Sequence, residues 1–218
     1  MNRQLYGHPF SSYTQKVTIA LYETHTSFTL RMLSPEDPAT QSEFATLWPL
    51  KKFPVLVEGA RTLFESSVII EHLAIHQDTG TLLPRDPDAA NEVRMLDRFF
   101  DNYVMTPMQK IVGDRLRSDD SRDAQGGQEA RSLLTSAYAW LDTALDQRTW
   151  AAGDVFSMAD CAAAPALFYA DWVHEIDAGF TRVRGYRSRL LARPSVARAV
   201  DEARVFRPLF PGGAPSRD

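Results

Sequence analysis

The stretch that decides the fold is LYGHPFSSYTQKVTIAL, residues 5–21. An apolar-leaning run, Gln4–Tyr6, stops at Gly7-His8-Pro9, and Val17, Ala20 and Leu21 then recur at helical spacing across Ser12–Glu23. Downstream, Ser27–Met32 alternates: Phe28, Leu30 and Met32 share one side, Ser27, Thr29 and Arg31 the other. That is the pattern of a half-buried strand. Strand, helix and strand within about 30 residues make a βαβ unit with parallel strands and a right-handed crossover. Pro38–Leu47 reads as a looser helix. Pro54–Val57 and Thr62–Phe64 are apolar runs joined at Glu58-Gly59-Ala60-Arg61, where glycine at the first central position suits a type II′ hairpin. Ser66–Ile75 closes this half as a helix, with Val68, Ile69, His72, Leu73 and His76 at core spacing. The order βαβαββα predicts a small mixed sheet with helices on both faces, over residues 1–77.

Residues 78–89, rich in Thr, Gly, Pro and Asp, read as a linker. From Asn91 the strand signals vanish. Val93, Leu96, Phe100, Tyr103, Val104, Met108, Ile111 and Val112 mark one long helix, bent at Pro107. Further helices are expected at Gln128–Leu145, Ser157–His174, Arg182–Leu191 and Ser195–Arg204, with a frayed tail after Phe210. Residues 90–218 are therefore predicted to be all-α.

Composition bounds the chemistry. The chain has 218 residues, 44% of them hydrophobic, which is ample for a core. Its 24 basic and 28 acidic residues are interspersed and sum to −4. No basic patch stands out to track a phosphate backbone, so a nucleic-acid binder is not expected. One cysteine can form neither an internal disulfide nor a four-ligand zinc site, which suits a reducing compartment. The first residues lack a signal-peptide core, and the longest apolar run, Cys161–Ala170, is about half of the roughly 20 residues a spanning helix needs. A soluble cytoplasmic protein without a membrane anchor is the expectation.

Four constellations carry candidate chemistry. Ser11 and Ser12 lie where a loop enters a helix; free N–H groups and the dipole there stabilise an anion, and a serine hydroxyl can donate to it. Either serine also suits a plain N-cap. Ser11 reads as the last loop residue, pointing past the helix start, and Ser12 as the cap of the first turn. Lys51-Lys52-Phe53-Pro54 opens a strand with proline, as an edge residue or a cis turn; a cis bond would turn the backbone groups of Phe53 outward toward an extended ligand. At Glu65-Ser66, Ser66 caps the next helix and its N–H can hold a carboxylate, while Glu65 can accept from an ammonium. Side by side they suit an α-amino acid head group, although a capped helix beside an incidental glutamate reads the same. Ser157 and Asp160 have capping-box spacing and read as structural. His72 and His76 share a helical face, with no third metal ligand visible in the sequence, and no metal is expected. Cys161 reads as a small buried hydrophobe.

In this order, the four segments resemble the glutathione S-transferase superfamily over nearly the whole chain. Ser11–Val17 resembles the active-site segment of the serine-type classes (theta, tau, zeta, phi), in which the catalytic serine stands six residues before a helix valine. The resemblance implies a thioredoxin-like first domain, an all-helical second domain and a homodimer. It further implies glutathione as cosubstrate, with Phe53 beside Pro54 pairing its cysteinyl backbone. Glu65 and Ser66 would take the γ-glutamyl end, and Lys52 the glycyl carboxylate. Ser11, with Ser12 as the neighbouring alternative, would donate to the sulfur. Phe10, Tyr103, Met108 and Trp172 are candidates for the wall of a pocket for a small hydrophobic electrophile. Glutaredoxin- and omega-type relatives carry Cys where this chain has Ser11 and Thr14, and zeta-type isomerases carry Cys at the position of Tyr13. The implied reaction is attack of the thiolate on that electrophile. A zeta-like isomerase and a non-catalytic binding module of the same fold are the alternatives.

Overall fold

The computed structural model describes residues 2–77 and 82–218; linker residues 78–81 lie outside the described residues. Among the described residues, four strands pair in the order β2-β1-β3-β4: β1 (Arg3–Gly7), β2 (Thr29–Met32), β3 (Val55–Glu58) and β4 (Arg61–Leu63). The pairing β1–β2 is parallel, with Leu5 opposite Leu30, while β1–β3 and β3–β4 are antiparallel. Gly59 turns the β3–β4 hairpin at φ +60° with no positive φ at Ala60, which fits the II′ expectation and not I′.

Alternation of side chains along each strand divides the core. Leu5 and Leu56 join Val17 and Leu21 of α1 (Ser12–Glu23) and Ile69, Ile70 and Leu73 of α3 (Ser66–Gln77) on one face. Tyr6 and Val55 point the other way and pack with Phe44 of α2 (Pro38–Leu47). The expected βαβαββα order and mixed sheet are therefore present.

The second half is helical. Asp86 caps α4 (Pro87–Phe99) by accepting from Ala89 N–H at 2.9 Å, so the helix starts inside the span expected to be linker. The expected bend at Pro107 takes the form of a wide π-type turn, Phe100–Met105, followed by α5 (Thr106–Arg115). Proline lacks the N–H for a regular i−4 bond and its ring crowds that carbonyl; widening the turn lets Thr106 N–H reach back to the Asp101 carbonyl. The extra residue shifts the buried stripe to Phe100, Val104, Met108 and Ile111. Asp123 caps α6 (Ala124–Ala144) four residues earlier than the apolar spacing suggested. The bundle continues with α7 (Met158–Val173), α8 (Thr181–Ala192) and α9 (Pro194–Ala203).

Every residue of α7 is buried, and its first turn is built by Asp160. That carboxylate accepts from Ser157 N–H (2.8 Å), Ala151 N–H (2.8 Å) and the Tyr186 hydroxyl (2.5 Å). The Ser157–Asp160 segment is structural, as its spacing implied. Cys161 is fully buried on the same helix, and burial pushes its thiol well above the usual value.

The two halves share one core, continuous from Leu5 and Val17 through Leu96 and Phe100 to Leu167. Two polar junctions cross the seam. Glu23, at the end of α1, receives Arg193 Nε (2.7 Å) and Nη2 (2.6 Å), together with the Ser195 hydroxyl. Lys16, wholly buried on α1, reaches Asp97 Oδ1 (2.7 Å), Asp101 Oδ2 (2.8 Å) and Ser67 Oγ (2.8 Å). Arg98 pairs with the same two aspartates, so the four charges balance. The segment after Phe210 is anchored, not frayed: Arg115 donates to the Pro211 carbonyl (3.2 Å), Arg217 pairs with Asp171 (3.4 Å) and Asp218 with Arg204 (2.9 Å). Among the described residues, no helix is long and apolar enough to cross a membrane.

Candidate active site

The site lies between the two halves, where three chain turns of the sheet domain face α4, α5 and the segment after α9. The first turn leaves β1 at Gly7. A Cβ there would come within 2.5 Å of Thr14 Oγ1, so only glycine lets the strand end approach the first turn of α1 this closely. The loop closes with Ser11 N–H on the His8 carbonyl at 2.9 Å. Ser11 then occupies the N-cap, at φ −82° and ψ 127°, and its Oγ accepts from Thr14 N–H at 3.4 Å. The cap thus falls on Ser11, and Ser12 is the first helical residue. This corrects the expected division, because the helix starts at Ser12, one residue earlier than a Ser12 cap requires. The Ser11 hydroxyl accepts in the cap and keeps its own proton to give.

The second turn carries Lys51, at φ +52°, and Lys52 and Phe53 ahead of β3, and the Phe53–Pro54 bond is cis. The third is Glu65. Its carbonyl accepts from Ile69 N–H at 2.9 Å, so Glu65 and not Ser66 holds the N-cap position of α3. It sits at φ +66°, in the left-handed region that costs a non-glycine residue roughly 1–2 kcal/mol. Ser66, the first residue of α3, presents its N–H at the positive end of the helix.

These turns line one cleft of about 770 Å³. It brings together Ser11, Ser12, Lys52, Phe53, Pro54, Glu65, Ser66, Phe10 and Met108. Two expected wall residues fall outside it. Tyr103 is 51% exposed and packs on Phe99, since the wide turn before Pro107 rotates it off the stripe that continues through Met108. Trp172 is buried behind the wall, against Phe10, Phe168 and Phe210.

Several lining residues were not anticipated. Arg98, Asp101, Asn102, Gln109, Val112 and Leu116 come from α4, the wide turn, α5 and the residue after it; their spacing of three, four and seven was the available signal. Trp48 and Tyr13 flank the sheet side, and Tyr169 of α7 lies at the floor. Leu209, Phe210 and Pro211 close the far side, and a large aromatic ahead of a small, polar tail was the only hint of them. Burial and the Asp101 charge push the Tyr13 phenol up to about 12, so it stays protonated at neutral pH. Tyr6, also up at about 12 through burial and Glu43, packs with Phe44 in the sheet core, away from the cleft. His72 hydrogen-bonds Glu58 at 2.9 Å, and its ring lies 4.1 Å from that of His76, tilted by 37°. Among the described residues, no group of three or more His, Cys, Asp or Glu is placed to hold a metal ion.

Two family models match this chain, the glutathione S-transferase N-terminal domain over residues 5–80 and the C-terminal domain over residues 121–189. A glutathione S-transferase from Methylobacterium radiotolerans, solved in complex with glutathione sulfonate, is 31% identical. It superposes with a TM-score of 0.80 over 92% of this chain and 95% of its own. The chain belongs to the glutathione S-transferase family. Its sheet half is accordingly the thioredoxin-like domain of that family and its helical half the all-α domain. Among similar proteins, FtsZ-localized protein A of Caulobacter vibrioides is 29% identical over 99% of this chain and 96% of its own length. Maleylacetoacetate isomerase of Rattus norvegicus is 28% identical over 77% of each.

Proposed function

We propose that the cleft binds glutathione and activates its thiol for attack on a small, neutral, apolar electrophile, with Ser11 as the hydroxyl that holds the thiolate. The observation that carries this reading is the Ser11 hydroxyl itself. It stands at a helix N-terminus inside the cleft, its oxygen occupied by Thr14 N–H and its proton uncommitted. A free thiol titrates near 8.5, and lowering that by about two units takes roughly 2.7 kcal/mol. One hydrogen bond to a charged group, about 1.5–3 kcal/mol, together with the helix end is of that size.

The lining supports a place for the rest of the tripeptide. The γ-glutamyl ammonium meets the Glu65 carboxylate, and its carboxylate meets the N–H groups that open α3 at Ser66. The cysteinyl backbone lies along Phe53, beside Pro54, and the glycyl carboxylate falls to Lys52. Ser12 lies one residue deeper in the helix, without the N-cap geometry. In the reaction the thiol proton passes to water and the sulfur forms a bond to the electrophilic carbon. The displaced electron pair leaves with the departing group or, in an enal, moves through the conjugated system to the carbonyl oxygen, and water protonates the resulting enolate. The opposite wall, with Phe10, Met108, Val112 and Leu209, suits a neutral apolar partner. The cleft cations Lys51, Lys52 and Arg98 belong to the glutathione side, and Arg98 is already paired with Asp97 and Asp101. That distribution favours conjugation over isomerisation of a dicarboxylate.

Calorimetry with glutathione, followed by turnover assays on aryl halides and enals, tests the reading. Absence of glutathione binding overturns it. Binding without turnover of any of them supports the second reading, a non-catalytic binding module. That reading is favoured by one observation: a relative aligned over 99% of the chain is named for its association with FtsZ and not for a transferase reaction. The division at residues 78–89 into a glutathione-binding and a helical domain, and assembly as a homodimer, are parts of the same proposal.

A further inference from the structure

The loop that delivers Ser11 is held from the other half of the molecule. Tyr169, on α7, is 3% exposed, and its hydroxyl donates to the Phe10 carbonyl at 3.0 Å. The same oxygen accepts from Gln15 Nε2 at 3.0 Å, and the remaining Nε2 proton goes to the Pro9 carbonyl, also at 3.0 Å. A phenol has one proton to give and an amide nitrogen two, so these three bonds use every donor of both side chains. Burial raises the Tyr169 hydroxyl far above its ordinary value and keeps it protonated. The two carbonyls that immediately precede Ser11 are therefore tied to buried side chains.

We propose that Tyr169 and Gln15 are positioning residues for the glutathione thiolate: by fixing the Pro9 and Phe10 carbonyls they set the direction in which Ser11 presents its hydroxyl. Neither donates to the sulfur. The inference rests on Ser11 being the thiolate donor. Its physical basis is that hydrogen bonds weaken steeply as they leave alignment, and that a donor already in place reorganises least when charge appears. Ring packing alone does not supply this. Phenylalanine at position 169 would keep the edge contact with Phe10, whose ring centroid lies 5.5 Å away, and remove one oxygen atom. The Phe10 carbonyl and a Gln15 N–H would then be left without partners, and the peptide ahead of Ser11 would be free to turn.

The test is the absorbance of the thiolate against pH with glutathione bound to Tyr169→Phe, Ser11→Ala and the double variant. Tyr169→Phe is expected to raise the bound thiol pKa by about one unit. Its affinity for S-methylglutathione, which has no thiol proton, should stay within about twofold, well under the tenfold that 1.4 kcal/mol represents. In the Ser11→Ala background Tyr169→Phe should add nothing, because the two act through one hydroxyl. A tyrosine that only stabilises the fold would lower the melting temperature and leave the titration in place, which overturns the proposal. A further rise in the double variant overturns it as well, since Tyr169 would then act by another route. A flat response to Ser11→Ala removes the donor and the positioning claim together; a flat response to Tyr169→Phe alone removes only the positioning claim. Gln15→Met, which keeps chain length and loses both donors, carries the same expectation should Tyr169→Phe not fold.

Discussion

Two residues of the cleft combine a local backbone duty with a proposed chemical one, and the duties separate on mutation. Ser11 caps α1 through a long 3.4 Å bond, so Ser11→Ala should cost only about 0.5 kcal/mol of stability, at the low end for a lost cap. The same change should raise the pKa of bound glutathione by about one to two units, read from thiolate absorbance against pH. Ser12→Ala should move neither quantity appreciably. Glu65 is the second case. Its φ of +66° is a conformation asparagine adopts more readily than glutamate. Glu65→Asn should hold or raise the melting temperature while glutathione affinity, measured by calorimetry, falls about 10- to 100-fold from loss of the charged contact. An unchanged affinity would mean that Glu65 serves the strand end alone. The segment 65–66 marked this place in the sequence, but not that the residue before Ser66 would carry the cap. Periodicity locates a helix better than it locates the helix's first residue.

Among the elements, the junction between α1 and α9 has a defined pH response. Burial pushes the Glu23 carboxyl up, but hydrogen bonds from Arg193 and Ser195 outweigh it and hold the folded value below the usual 4.5. The native state therefore favours the ionised form more than the unfolded chain does. The resulting stability is present above that ordinary value and is lost as pH falls through the lower folded one. Glu23→Gln should be less stable than the parent by about 2 kcal/mol at neutral pH. In thermal melts across acid pH the gap should narrow below 4.5 and vanish once the parent's own carboxyl is protonated. A gap independent of pH would assign the effect to packing. Elements with a strong period were legible without coordinates: the alternation of Ser27–Met32 gave β2, and Gly59 gave the hairpin. The π-type turn was not. Pro107 announces an interruption, but whether a helix kinks or widens depends on what its neighbours pack against, and that choice took Tyr103 out of the cleft.

For the whole molecule, α3 exposes Val68 (52%) and Ile75 (65%) on the same stripe as Glu71, which forms a two-pronged ion pair with Arg94 beside exposed Met95 on α4. Apolar side chains so exposed around a fixed ion pair suit the proposed contact with a second copy. Ile75→Glu should shift sedimentation from a dimer to the 24.5 kDa monomer, with the glutathione cleft intact. A species unaffected by the change would place any self-association elsewhere. The cleft's far wall, Leu209–Pro211, was the least legible part of the site. Residues distant in sequence meet there through the packing of Phe210 on Phe10, Tyr169 and Trp172 and through the anchors of Arg115, Arg217 and Asp218, and no local pattern encodes such a meeting.

The buried charges at the seam also bear on how the protein is made. Lys16 leaves the ribosome ahead of both aspartates that neutralise it, and at ordinary elongation rates the intervening stretch of about 80 residues takes roughly 4–16 s to appear. Until α4 emerges, the α1 surface destined for the seam is an apolar face with an unpaired ammonium in it. The sheet half then cannot bury that face without stranding a charge. Closing the seam and neutralising Lys16 are therefore one event, which needs Asp97 and Asp101 of the helical half in place.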